Sequence, residues 1–142
     1  MPGQNFKNHT RLVAPFHFIA YPIIIAVLVC AIINLCYCAP GDCCNAWMIL
    51  GLTVALLIVA WYTRVFALKA QDRAIRAEEN FRHFVLTGKP FDNRLRMAQI
   101  IALRFAPDAE FVALANRAVA ENMKPKDIKS AIVNWKGDYH RV

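Results

Sequence analysis

Four thiols stand within nine positions, Cys36, Cys38, Cys43 and Cys44, in the stretch NLCYCAPGDCCNAW. Such a cluster can do three kinds of chemistry. Paired, the cysteines staple a turn; converging as thiolates they hold a tetrahedral metal; with one thiol activated beside another they exchange disulfides. The spacing C-x-C-x4-C-C is neither a pair of CxxC knuckles nor a thioredoxin-like motif. The Pro40-Gly41-Asp42 turn brings the two halves of the cluster together, so a disulfide across the turn fits best. A vicinal Cys43–Cys44 bond is geometrically poor. Four cysteines allow three pairings, and unpaired thiols or a metal or redox site stay open as alternatives. A disulfide persists only in an oxidising compartment, which makes topology the deciding question. Cys30, in the apolar run before the cluster, reads as a small packing residue.

The elements that carry the cluster are two apolar runs. From Leu12 to Gly41, and again from Cys43 to Thr63, there is no Lys, Arg, Asp or Glu. A bilayer core needs about 20 apolar residues in a helix, so each run can cross once, over Phe16–Tyr37 and Ala46–Tyr62. A secretory signal is excluded by length and by the lack of a small-residue cleavage site. Pro22 falls inside the first run and should bend it. Asn34 and Thr53 are the clearest polar groups within the runs, and hydrogen bonding between the helices is their ordinary role. Neither run carries a carboxylate, which argues against a proton pathway.

Basic residues stay on the cytoplasmic side of short connections. The segment between the runs has none, the arm before them has Lys7 and Arg11, and the chain from Arg64 onward holds the other 15 of 17. Both termini should therefore be cytoplasmic and the cysteine tip outside, with Trp47 at one interface and Trp61, Tyr62 and Arg64 at the other. The Asn8-His9-Thr10 sequon would then be unused. An attraction of the basic surplus to anionic headgroups fits the same picture.

Beyond Thr63, RVFALKAQDRAIRAEENFRHF contains neither Gly nor Pro and pairs Asp72 with Arg76 and Glu78 with Arg82 at i,i+4. The second run should continue as one rigid helix to about Leu86, ended by Thr87-Gly88-Lys89-Pro90. Three short amphipathic helices follow. Asp92 caps the first, running to Phe105 with Met97, Ile100 and Ile101 on one side. Pro107 opens the second, with Phe111, Leu114 and Ala118 on its stripe. Pro125 opens the third, with Ile128, Ile132 and Trp135 at helical spacing. So small a bundle needs a further apolar surface: the long helix near Ile75, Phe81 and Phe84, another copy of the chain, or a partner protein.

No phosphate loop, GxSxG elbow, HExxH or carboxylate pair is present, and His83 and His140 are isolated. We expect no catalytic residue, no cofactor and no metal. The basic surplus after Arg64 is interspersed with acidic residues and forms no stripe for nucleic acid. The charged run reads first as a solvated, salt-bridged face. As a docking face it offers Asp72, Arg73, Arg76 and Glu79, with Trp135 as a bundle anchor.

The segments QNFKNHTRLVAPFHF, ALKAQDRAIRAEENFR and RMAQIIALRFAPDAEFVALA, in this order around two spans, resemble an uncharacterised bacterial family of small two-span membrane proteins, a domain of unknown function. The resemblance implies topology and a bacterial inner-membrane location but no activity. The cysteine tip departs from that family's pattern. The expected architecture is all-α: a cytoplasmic arm over 1–15, a transmembrane helical hairpin over 16–63, a membrane-exit helix over 64–86 and a small helical bundle over 87–142. The expected role is a structural or accessory subunit whose partners are lipids, copies of itself or other membrane subunits. The alternative is a tethered adaptor that recruits a soluble partner.

Overall fold

The computed structural model describes residues 5–6, 12–39, 41 and 43–138. Its regular structure is helical throughout, with no strand among the described residues. A π-helical turn, Pro15–Ala20, leads into α1, Tyr21–Tyr37; then come α2, Cys43–Thr87, α3, Met97–Leu103, α4, Asp108–Ala120, and α5, Pro125–Ala131. The chain divides into two compact units, Arg11–Ala67 and Leu68–Val142 with Met1–Thr10. Lys7, Asn8, Arg11, Pro40, Asp42 and His140 lie outside the described residues.

Two helices are long and apolar enough to cross a membrane: 23 residues over Pro15–Tyr37, in the first unit, and the 45 of α2, which starts in it. Pro22 does not break its helix. It has no N–H to give, and it sits just after a π-type bond from the Tyr21 N–H to the Phe16 carbonyl. The change of hydrogen-bond spacing therefore falls where a donor is missing. The change of helix type falls in the turn ahead of Pro22.

Sequence patterning could not show which face of each helix is shielded. In α1 and its cap the shielded residues are Tyr21, Ile24, Leu28, Ala31, Leu35 and Cys38; in the front of α2 they are Cys43, Ala46, Leu50, Thr53, Leu57 and Ala60. Every other residue from 21 to 38 and from 43 to 60 is exposed. The steps alternate three and four, the heptad spacing that gives a helix one continuous packing line. Ala31, Ala46 and Thr53 are the most buried small members of this seam, where small side chains let backbones approach. Thr53 does not bond across it. Its hydroxyl donates to the Ile49 carbonyl of its own helix at 2.8 Å. Asn34 is exposed beside a cavity of about 340 Å³ lined by Ala26, Val27, Cys30, Ala31 and Ile49. The expected hydrogen bond between helices is thus not formed by Thr53.

In the second unit α2 ends where Gly88 takes a left-handed φ of 71° and its N–H donates to Phe84 O at 2.7 Å, a glycine cap. The core comprises Phe91, Leu95, Ile100, Leu103, Phe105, Phe111, Leu114, Met123, Ile128 and Ile132, with small alanines between them. Helix α2 closes it with Ile75, which is buried, and with Glu79 and His83. Phe81 and Phe84 are exposed; at about 100° per residue they lie on other sides of α2 from Ile75.

Four boundaries differ from expectation, one being the end of α3 at Leu103 and not Phe105. Helix α3 starts at Met97 and not after Asp92, because the Asp92 carboxylate accepts the Arg94 N–H at 2.9 Å and holds a local turn, as short acidic side chains do. The N-terminus of α3 is capped by Gln99 instead, whose Oε1 accepts the Arg96 N–H at 2.8 Å. Its Nε2 donates to Met123 O at 2.8 Å, tying the start of α3 to the end of α4. Pro107 is the N-cap of α4 rather than its first residue. Helix α5 stops at Ala131, so Trp135 lies beyond it in irregular chain, stacked on Phe105 with centroids 4.9 Å apart. Asn122, φ 48°, ends α4, and the Met123 N–H reaches back to Ala118 O at 3.1 Å, the six-to-one bond of a Schellman cap.

Candidate interaction surface and cysteine tip

The tip is built by the seam. Its last position on α1 and its first on α2 are Cys38 and Cys43, and these two are joined in a disulfide with Cα atoms 5.4 Å apart. Gly41, φ 108°, lets the chain reverse inside so short a loop. Cys36 and Cys44, one helical step off the seam, are free and exposed, as is Cys30. The cluster thus divides into one pair and two thiols. Among the described residues no group of three His, Cys, Asp or Glu is placed to hold a metal.

The charged run on α2 divides as well, because a helix turns about 100° per residue. Counted from Ile75, Glu79 lies about 40° round, on the same side of α2, while Arg73 lies about 160° round, on the side that borders the chain from Pro90 to Asn93. Glu79 is buried and accepts from Arg82 at 3.0 Å. Asp72 is half-shielded, and Arg73 and Arg76 are exposed. The predicted face of Asp72, Arg73, Arg76, Glu79 and Trp135 is therefore not one surface. Glu79 and Trp135 serve the interior, and the two arginines remain outside.

The residue that joins the run to the bundle is Arg82, expected to pair with Glu78 and paired on α2 with Glu79. The Arg82 guanidinium donates to Glu79, to Asp108 Oδ1 at 2.6 Å and to the Ala106 carbonyl at 2.8 Å. It also lies 4.2 Å from the centroid of the Phe111 ring. One side chain thus ties α2 to the start of α4 and to the core. Beside it His83 donates from Nδ1 to Lys89 O at 2.8 Å and stacks on Phe91 at 4.7 Å. Both polar residues are structural here.

Two carboxylates on the bundle have depressed pKa values. Asp92 is held at about 2 by the side-chain and backbone N–H groups of Arg94. Glu110 lies below its ordinary 4.5, chiefly because it accepts the Val133 N–H, at 2.9 Å, and also the Asn134 backbone and amide. Glu110 therefore clamps the chain after α5 onto α4. A depressed carboxylate stabilises the fold above its unfolded pKa, and that contribution is lost as pH falls through the folded value. We expect Glu110→Gln to lower the thermal midpoint of the bundle at pH 7 and to flatten its decline below pH 4.5. Melting curves from pH 3 to 7 read this, and an unchanged acid limb would show that the clamp does not form.

A family model described as "Family of unknown function (DUF6526)" matches residues 1–142. No curated protein and no solved structure matches the chain.

Proposed function

Because the chain belongs to this family of unknown function over its whole length, and no activity comes with that membership, we propose a role from its surfaces: a non-enzymatic integral membrane protein that is a structural or accessory subunit of a membrane assembly. The observation that carries the reading is exposure. The most apolar window of each long helix is only 11% buried, and Ile23, Val29, Leu52, Ile58, Trp47 and Trp61 are all exposed on these helices. Apolar surface on that scale is not left in water. A bilayer is the solvent that suits it, and the basic residues that follow Thr63 support a cytoplasmic side for both termini. Helices with a single seam and otherwise apolar flanks also suit lateral association, with copies of the chain or with other subunits.

The second reading is a tethered adaptor. It is favoured by the bundle's continuous core and by the exposed Phe81, Phe84 and Val85 at the end of α2. Purification of full-length protein in mild detergent separates the two. Stable self-association or stoichiometric membrane subunits are expected; a monomer without companions overturns the subunit reading.

Topology is tested at the tip. A membrane-impermeant maleimide applied to intact spheroplasts without reductant should label Cys44 or Cys36, and Cys36→Ser with Cys44→Ser should abolish labelling at the tip. Labelling only after lysis would refute the orientation.

A further inference from the structure

Arg73, Arg76, Ala77 and Asn80 recur at i, i+3, i+4 and i+7 and so share one side of α2. They form one wall of a cleft of about 380 Å³. The opposite wall is the chain from Pro90 to Asn93, and Leu95, Met97 and Ile100 complete the lining. We propose that this cleft binds a small organic anion: a carboxylate or phosphate head carried on a compact apolar body.

The charges point to an anion. Among the described residues neither Arg73 nor Arg76 has a carboxylate within ion-pairing distance, in contrast to Arg82, Arg94, Arg104 and Arg117. The carboxylate in the lining, Asp92, is already engaged by Arg94 at 2.8 Å. Two guanidiniums on adjacent turns can grip one oxyanion with several N–H donors in fixed forks. Asn80 adds a further donor. Its Oδ1 is taken by the Phe91 N–H at 2.8 Å, which leaves the amide NH₂ to donate.

The cleft also has an apolar side. Phe91, Leu95 and Ile100 are 8%, 7% and 2% exposed and belong to the bundle core, so this side of the cleft is held by packing before any ligand arrives. The bond from Phe91 to Asn80 fixes the spacing of the two walls. The volume lies in the range of small-molecule sites, about 300–1,000 Å³, and suits an aromatic ring with one charged group better than a bare ion. Such a ligand would make the bundle a sensing element and not merely a spacer.

Full-length protein in a neutral detergent is titrated calorimetrically with phenyl phosphate, benzoate, inorganic phosphate and benzylamine at pH 7. Phenyl phosphate or benzoate should bind with a millimolar or tighter constant, and which of the two binds tighter assigns the head group. Arg73→Gln and Arg76→Gln should each weaken that binding by about tenfold, the equivalent of one charged hydrogen bond. Unchanged thermal midpoints in both variants would confirm that these exposed positions leave the fold alone. Inorganic phosphate binding as tightly as phenyl phosphate would overturn the apolar part of the proposal. Equal binding of benzylamine, insensitivity to both substitutions, or no binding by either organic anion would overturn the site.

Discussion

Replacing Phe111 with alanine is expected to destabilise the bundle by about 3–5 kcal/mol and to unfold it near physiological temperature. The ring is fully buried. It meets Phe91 at 5.7 Å and His83 at 6.2 Å and carries the Arg82 guanidinium on its face. Removing it opens a cavity and also leaves that cation without its platform. A domain of this size is stable by only about 0.05–0.15 kcal/mol per residue, so the loss is comparable with the whole. Circular dichroism of full-length protein should show a transition lost from the bundle while the apolar helices of the first unit keep their signal. Phe111→Leu, which retains most of the volume, should lose much less. A melting curve shifted by only a degree or two in Phe111→Ala would mean that the ring is not part of the core as described.

Arg82→Met is expected to cost about 2–4 kcal/mol, below the 3–5 kcal/mol of a fully buried pair because water reaches part of this one. The substitution keeps an apolar stem of similar length and removes the charge. Glu79 is then left buried without its cation, Ala106 O without its donor, and Asp108 at the start of α4 without its tie to α2. The distinguishing measurement is a double-mutant cycle with Glu79→Gln. If the network is coupled, adding Glu79→Gln to Arg82→Met should cost less than it does in the wild type. Strict additivity would sink the idea that Arg82 acts through Glu79.

Much of this architecture was legible because its signals are strong and local. Two runs without charge read as two long helices. The absence of Gly and Pro after Thr63 read as one continuous helix, observed to Thr87. Phe111, Leu114, Ile128 and Ile132 stood out by their spacing and are buried.

What stayed hidden was hidden for identifiable reasons. When every side of a helix is apolar, no periodicity marks the packed one, so the seam through Ala31, Ala46 and Thr53 leaves little trace in composition. Glu79 and Arg82 read as surface charges because burial of an ion pair depends on what lies across from it, here Phe111 and Ala106. Phe81 and Phe84 were expected inside on hydrophobicity alone, although neither lies on the side of α2 that Ile75 defines. The start of α3 was misplaced because Asp92 has two uses, as a cap or as the head of a local turn, and the neighbouring Arg94 decided for the turn. Of the candidate surface, the residue types were legible. Their division between interior and exterior needed the angle of each around α2.

The alternation of threes and fours along α1 makes register a discrete property of the first unit. Deleting a single residue between Leu28 and Ala31 would swing everything after it by about 100°. Leu35 would leave the line of contact, and Cys38 would no longer meet Cys43. Removing seven residues would restore the phase almost completely. Helical phase in this part of the chain is therefore kept only by changes of whole heptads, and the sulfur bond at the tip reports whether the count is right.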